Sequence, residues 1–221
     1  MSLWEIENRC FSAGHALVCG VDEAGAGPLA GDVYAAAVIL PPGLELPYLN
    51  DSKRVTPKRR DALYGQIREQ AAAWAVASVT AAEIDGMNIL NARMLAMERA
   101  IQALNPQADY ALIDGNRDHG TRYRITLAHE TVVKGDGKSA SIAAASILAK
   151  VSRDRYMEEL AKTYPQYAFE QHKGYGTKLH YERLKEFGPC PAHRRTFLKK
   201  WEAAEAARGA DNEQNRLGPL G

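Results

Sequence analysis

The sequence predicts an α/β fold: a mixed central sheet flanked by helices, with a C-terminal helical extension. Three observations carry that expectation. Short apolar runs that end at Gly, Pro or an acidic residue come early in the chain and read as buried strands. Segments with helical spacing interleave with them and dominate the second half. The first two strands are joined by a short connection, which makes them antiparallel neighbours, whereas the later strand–helix alternation calls for other pairings in the same sheet.

The elements follow in order. Residues 16–21 and 33–40 read as strands around Gly25-Ala26-Gly27-Pro28-Leu29-Ala30-Gly31, and Pro41-Pro42-Gly43 ends the second. Pro57 to Ala72 reads as a helix with Thr56 as N-cap and Pro57 at the first helical position. Residues 74–79 form a third strand. Over 88–104, Ile89, Leu90, Met94, Met97, Ile101 and Leu104 recur at helical spacing, and Asn105-Pro106 stops the helix. A strand then ends at Asp114, and two short β-like pieces end near Lys134. Ser139 caps a long helix from Ala140 to about Thr163, whose Ala-rich start suits close packing on the sheet. Beyond Tyr164-Pro165 come a Gly-rich loop, a helix near 177–187 and a helix from about Phe197 to Ala207. Residues 208–221, poor in apolar groups, read as a disordered tail.

The 221 residues, 46% hydrophobic and 25% charged, suit one globular domain over 1–207. No apolar stretch approaches the ~20 residues that span a bilayer, and the polar N-terminus shows no secretory signal. Three cysteines without metal-ligand spacing point to free thiols and a cytoplasmic location. With no apolar stripe demanding a partner, the expected state is a monomer. Net charge is +1, but residues 134–200 alone carry +7, leaving −6 for the remainder. A basic C-terminal region beside an acid-rich one suits a polyanion bound with the help of cations.

The acids are Asp22-Glu23, Asp114 and Asp136, each where an apolar run gives way to glycine. Carboxylates at strand ends, with Gly allowing close approach, are placed to hold hard cations. Clustered acids repel one another, so they coexist through a metal or through raised pKa values. Paired Mg²⁺ or Mn²⁺ ions held this way serve phosphodiester hydrolysis. Because successive strand residues face opposite ways, Asp22 and Glu23 can both ligate only if the strand ends or bends there. Gly137-Lys138-Ser139 is no phosphate-binding loop, since G-x-x-x-x-G-K-[ST] requires Gly where Val132 stands. The serines lack a base in a triad pattern, and the six scattered histidines lack zinc spacing.

Seven stretches in order over about residues 18–200 resemble the bacterial ribonuclease HII (type 2 ribonuclease H) family. They are Gly20-Val21-Asp22-Glu23-Ala24-Gly25, Gly27-Pro28-Leu29-Ala30-Gly31, Asp51-Ser52-Lys53, Ile113-Asp114-Gly115, Lys134-Gly135-Asp136 with 142–154, 172–177 and 191–197. The resemblance implies a ribonuclease H-like fold, with about residues 164–207 serving substrate binding. It implies an Mg²⁺- or Mn²⁺-dependent endonuclease with two ions per site, held by Asp22, Glu23, Asp114 and Asp136 as the catalytic carboxylates. The implied substrates are RNA/DNA hybrids and ribonucleotides embedded in duplex DNA, cut on the 5′ side to leave 3′-hydroxyl and 5′-phosphate ends. It further implies that the backbone of Gly25, Ala26 and Gly27 contacts the 2′-hydroxyl, and that Tyr175 stacks on the sugar of the following deoxynucleotide. The family loop usually reads Gly-Arg-Gly, so this chain lacks one arginine, a phosphate contact by its chemistry. Asp32 likewise replaces a typical proline. Lys53, Lys138, Lys150, Arg153, Lys173, Lys178, Arg194 and Arg195 are candidate phosphate contacts, and His172 and His193 lie in basic loops that can reach substrate.

Overall fold

The structure, a computed structural model, describes residues 2–49, 55–118 and 120–216, with side chains to residue 207. Five strands form one sheet: β1 (Val18–Ala24), β2 (Val33–Ile39), β3 (Ala73–Val79), β4 (Tyr110–Asp114) and β5 (His129–Val132). Their spatial order is β3-β2-β1-β4-β5. β1 pairs antiparallel with β2 and β2 with β3, whereas β1–β4 and β4–β5 are parallel. The sheet is therefore mixed and begins antiparallel, as expected.

β1 runs three residues beyond its expected end. Asp22 lies opposite Ala36, Glu23 opposite Ala35 and Ala24 opposite Tyr34. The small alanines of β2 keep the partner strand in register, so pairing carries the acidic residues into the sheet rather than ending before them.

Alternation then decides which way each side chain points. Cys19 and Val21 join the core beneath α4 (Ile89–Gln102), together with Ile113, Met94, Met97 and Ile101. The even-numbered positions of β1 face α5 (Ala140–Thr163), whose Ala143, Ala144, Ala145, Leu148 and Val151 pack over Ala36 and Val38. α5 lies unusually close to the sheet at Gly20. A Cβ there would stand 2.1 Å from Ile142 N and from Ser141 C, so only glycine fits. α2 (Pro57–Gln70) covers the outer side of α5's core through Leu63 and Ile67, and Thr56 caps it as expected.

Besides β1, four elements differ from the sequence expectation. A helix α1 (Glu5–Ser12) was not anticipated; its buried Glu7 accepts from Ser139 Oγ (2.6 Å) and Ser141 N (2.9 Å), holding the start of α5 beside the expected Ser139 cap. A second unanticipated helix, α3 (Ala81–Met87), begins at a reciprocal Thr80–Glu83 capping box. Only one of the two β-like pieces before Lys134 is a strand. The chain before β5 is irregular, with Thr126 tied to Glu98 of α4, and Lys134 turns the backbone with φ 55°. After one helical turn, α6 (Phe169–His172), and α7 (Lys178–Phe187), the last helix α8 (Arg195–Arg216) continues past Ala207 rather than giving way to a tail. Residues 217–221 and the Asp51-Ser52-Lys53 motif lie outside the described residues. No helix among the described residues is long and apolar enough to cross a membrane.

Candidate active site

Parallel pairing of Val21 with Ile113 brings the next residues, Asp22 and Asp114, to the same level of adjacent strands. Both belong to the face covered by α5. Asp114 is fixed by the Gly135 N–H, which donates to its Oδ1 at 2.7 Å. That bond draws the short 3-10 turn Gly135–Gly137, carrying Asp136, against the end of β4. Glu23 projects from the opposite face, where Arg93 of α4 pairs with its Oε1 at 2.6 Å. β1 ends at Ala24, just before Gly25 turns the backbone at φ +92°, so the two acids leave the strand's last residues from different faces and both line the cleft.

Burial raises the Asp22 carboxyl well above the ordinary carboxylate range, and the charges of Glu23, Asp114 and Asp136 push it the same way. One N–H, from Glu23, opposes them by donating to Asp22 Oδ1 at 2.7 Å. Burial also raises Glu23, against the stabilising Arg93 guanidinium. The Glu23 Oε2 atom is buried and has no hydrogen-bond partner. Among the described residues, no three acidic, His or Cys side chains stand as a closed metal cage. The donor set nonetheless fits a hard divalent cation: oxygen atoms only, one of them orphaned, around a carboxyl whose charged form burial and its acidic neighbours disfavour.

Asp22, Glu23 and Asp114 line a cleft of about 440 Å³, together with the backbone of Gly25–Gly27 and the side chains of Ser146, Lys150, Arg153 and Tyr175. Asp136 lies outside this lining and reaches Asp22 through its field. Gly25 has φ +92° and abuts Arg153, with its would-be Cβ 1.9 Å from Nε; the loop turns there because glycine tolerates both. Across the cleft, a Cβ on Gly27 would stand 3.9 Å from the Tyr175 ring. Tyr175 remains 45% exposed.

Two buried arginines hold this loop from behind. Arg194 donates to the carbonyls of Gly25 (2.7 Å), Gly31 (2.9 Å) and Ala26 (3.1 Å). Arg153 donates to Asp32 O and Ala30 O. Burial lowers both guanidinium pKa values, that of Arg194 to about 10. Asp32, in place of the usual proline, accepts from Tyr156 OH and Ala81 N, so its side chain ties the loop to α5 and α3. Backbone bonds complete the clamp: Leu29 N to Gly174 O, Gly31 N to Ala192 O and Arg194 N to Leu29 O, all 2.8 Å.

The expected basic contacts therefore divide. Lys150, paired with Asp154, reaches the cleft; Arg153 borders it but is buried, with donors bonded to Asp32 O and Ala30 O. Arg194 is fully buried and spends its donors on loop carbonyls, so it shapes the loop instead of meeting phosphate from solvent. Lys138 bonds Val133 O, Lys173 pairs with Glu158 and Arg195 with Glu202, all away from the cleft lining. Lys178 lines a separate groove between α7 and α8, and Lys53 is not among the described residues. His172 and His193 are buried rather than poised toward substrate. Arg93 was missed; its only signal is a charge between the buried Ala92 and Met94 of an amphipathic helix.

Acidic side chains at the ends of β1 and β4, within a mixed sheet of this order, define a metal-dependent nuclease of the ribonuclease H class. The sequence model of "Ribonuclease HII" matches residues 19–202, and the chain belongs to that family. It is 53% identical over 197 residues to "Ribonuclease HII" of Endomicrobium trichonymphae, covering 89% of this chain and 92% of that one. To the Dechloromonas aromatica (strain RCB) protein of the same name it is 56% identical over 181 residues, covering 82% and 90%. Among solved structures, the ribonuclease H2 of Pyrococcus horikoshii OT3 superposes with a TM-score of 0.67 at 27% identity, covering 86% of this chain and 98% of that one. The chain is accordingly an endoribonuclease, a phosphodiester hydrolase of the ribonuclease H type.

Proposed function

We propose that the chain hydrolyses RNA in RNA/DNA hybrids and at ribonucleotides embedded in duplex DNA. It cuts 5′ of the ribonucleotide to leave 3′-hydroxyl and 5′-phosphate ends. The observation that carries this reading is the buried Asp22, with its charge opposed by Glu23, Asp114 and Asp136, at the floor of a cleft edged by Gly25–Gly27 and Tyr175.

Asp22, Glu23, Asp114 and Asp136 would hold divalent cations, Mg²⁺ or Mn²⁺, two per site. When bound, such ions supply a nucleophilic water at neutral pH and stabilise the leaving 3′-oxygen. The chain's own residues do the rest. Arg93 holds one Glu23 oxygen and leaves Oε2 free for a ligand. Gly135 N–H orients Asp114. Gly25 and Gly27 keep side chains out of the cleft wall, so a sugar 2′-hydroxyl can approach the loop backbone. The Tyr175 ring faces Gly27 and offers a flat surface to the adjoining sugar. Lys150 offers an ammonium at the cleft for the phosphates, and the buried Arg153 adds positive charge behind the cleft wall.

The test is cleavage of an end-labelled DNA duplex carrying one ribonucleotide, with Mg²⁺, Mn²⁺ or EDTA. One metal-dependent cut 5′ of the ribonucleotide, absent in Asp114→Asn, is expected. Cleavage in EDTA, or an undiminished Asp114→Asn, overturns the reading.

A further inference from the structure

Behind Tyr175 lie three buried histidines whose hydrogen bonds leave no choice of tautomer. Cys190 N–H donates to His193 Nδ1 at 3.0 Å, and the Cys190 thiol also approaches that nitrogen at 3.2 Å. His193 Nδ1 is therefore unprotonated, and its proton sits on Nε2. His193 Nε2 lies 3.0 Å from His180 Nε2. A single hydrogen occupies that gap, so His193 donates and His180 Nε2 accepts. His180 then carries its proton on Nδ1, which meets the Tyr175 carbonyl at 2.9 Å. A carbonyl can only accept, so both ends of the chain demand the same assignment. His172 stacks on His180 with ring centroids 4.3 Å apart. It accepts from Gly174 N–H through Nδ1 and donates from Nε2 to Tyr167 O.

All three rings are neutral, and every ring nitrogen is spent. His180 and His193 have lost contact with solvent, being 0% and 2% exposed. The chain ends on the residue that faces Gly27 across the cleft. The same segment is anchored from the other side: Gly174 O accepts from Leu29 N, and a Cβ on Gly174 would stand 2.4 Å from Ala30 O. The histidines thus fix the backbone of Tyr175 against the loop that opposes its ring.

We propose that His180 and His193 are positioning residues for substrate: their one-directional hydrogen-bond chain from Cys190 to the Tyr175 carbonyl sets where the Tyr175 ring stands over the cleft. The inference rests on Tyr175 as a substrate contact. His180→Leu removes the donor to Tyr175 O. His180→Asn keeps a short amide donor near the Nδ1 position while giving up the link to His193 and the stack on His172.

The experiment measures KM and kcat for the single-ribonucleotide duplex in His180→Leu, His180→Asn, Tyr175→Ala and the His180→Leu/Tyr175→Ala double variant. His180→Leu is expected to raise KM about fivefold, the scale of one lost hydrogen bond, with kcat little changed. His180→Asn recovers most of that loss. The double variant is no worse than Tyr175→Ala alone, because His180 acts through the ring that is already missing. If Tyr175→Ala leaves KM unchanged, the reading of Tyr175 fails. If Tyr175→Ala raises KM and His180→Leu does not, or the two effects multiply, the positioning role fails. Should His180→Leu not fold, ¹⁵N NMR of the imidazoles in the unaltered protein decides. Nδ1–H on His180 with Nε2–H on His193 at neutral pH is expected, and the opposite tautomer on either ring refutes the chain.

Discussion

Gly20→Ala tests whether the α5–sheet contact sets the geometry of the acids. The added methyl would sit 2.1 Å from Ile142 N and Ser141 C and 2.5 Å from Ser141 O. These are backbone atoms at the start of α5, held by Ser139, Glu7 and the Leu3 carbonyl, so no side-chain rotation relieves the clash. Ordinary van der Waals contact would require the helix to lift by more than an ångström. Overpacking a core with one methyl costs typically 1–3 kcal/mol, and an unyielding backbone puts this case at about 3 kcal/mol or more. For a domain of this size that corresponds to a Tm drop of roughly 6–12 °C. Asp22 lies two residues further along the same strand, on the same face, so lifting α5 also disturbs the Asp22–Asp114–Asp136 grouping. A displacement of about 1 Å costs roughly 10²-fold in rate. Thermal unfolding with single-turnover cleavage of a labelled hybrid reads both effects. A variant with wild-type Tm and wild-type rate would refute the close-packing argument.

Three further outcomes follow from the same contacts. Arg194→Lys cannot serve three carbonyls at once; it is expected to cost roughly 2–4 kcal/mol in denaturant unfolding and to raise KM, since the Gly25–Gly27 loop loses its brace. Burial pushes the folded pKa values of His180 and His193 down to about 4, helped by His172 beside His180 and by His180, Arg195 and His172 beside His193, whose Nδ1 also meets Cys190. The unfolded histidines bind protons from about 6.5, so stability from this pair is full above that value and falls on acidification towards 4. Acidification to pH 5 therefore costs roughly 2 kcal/mol per histidine, and His180→Asn shows a shallower loss between pH 7 and 5 in urea melts. Ala26→Arg restores a cation at the cleft rim and is expected to lower KM for the single-ribonucleotide duplex several-fold with kcat unchanged; an unchanged KM removes Ala26 as a determinant of affinity.

Much of the sheet was legible because its strands are short apolar runs with clear stops, and α5 because Ser139 and the alanine run announce it. The end of β1 was not: Asp22 and Glu23 look like a turn, and only the continuing register with Ala36 and Ala35 keeps them in the strand. α3 was legible in principle, since Thr80 and Glu83 spell a capping box. α1 was less so, because its anchor is Glu7, a charged residue buried by partners 132 and 134 positions away. The acids could be named from sequence, but their neighbours could not. Arg93, Arg194 and His193 are polar residues whose roles come from burial, and burial depends on contacts across the chain. Arg194 illustrates the error: an arginine in a basic loop reads as a phosphate contact until three carbonyls are found to occupy it.

The central claim is that Asp22, Glu23, Asp114 and Asp136 form a divalent-cation site although no closed cage stands among the described residues. Calorimetric titration of Mn²⁺ into the metal-free protein, repeated with Asp22→Asn, Glu23→Gln, Asp114→Asn and Asp136→Asn, tests it most directly. The account predicts saturable binding to the unaltered chain and weaker binding in every variant, most of all in Asp22→Asn. Equal Mn²⁺ binding by the unaltered chain and Asp22→Asn would contradict it.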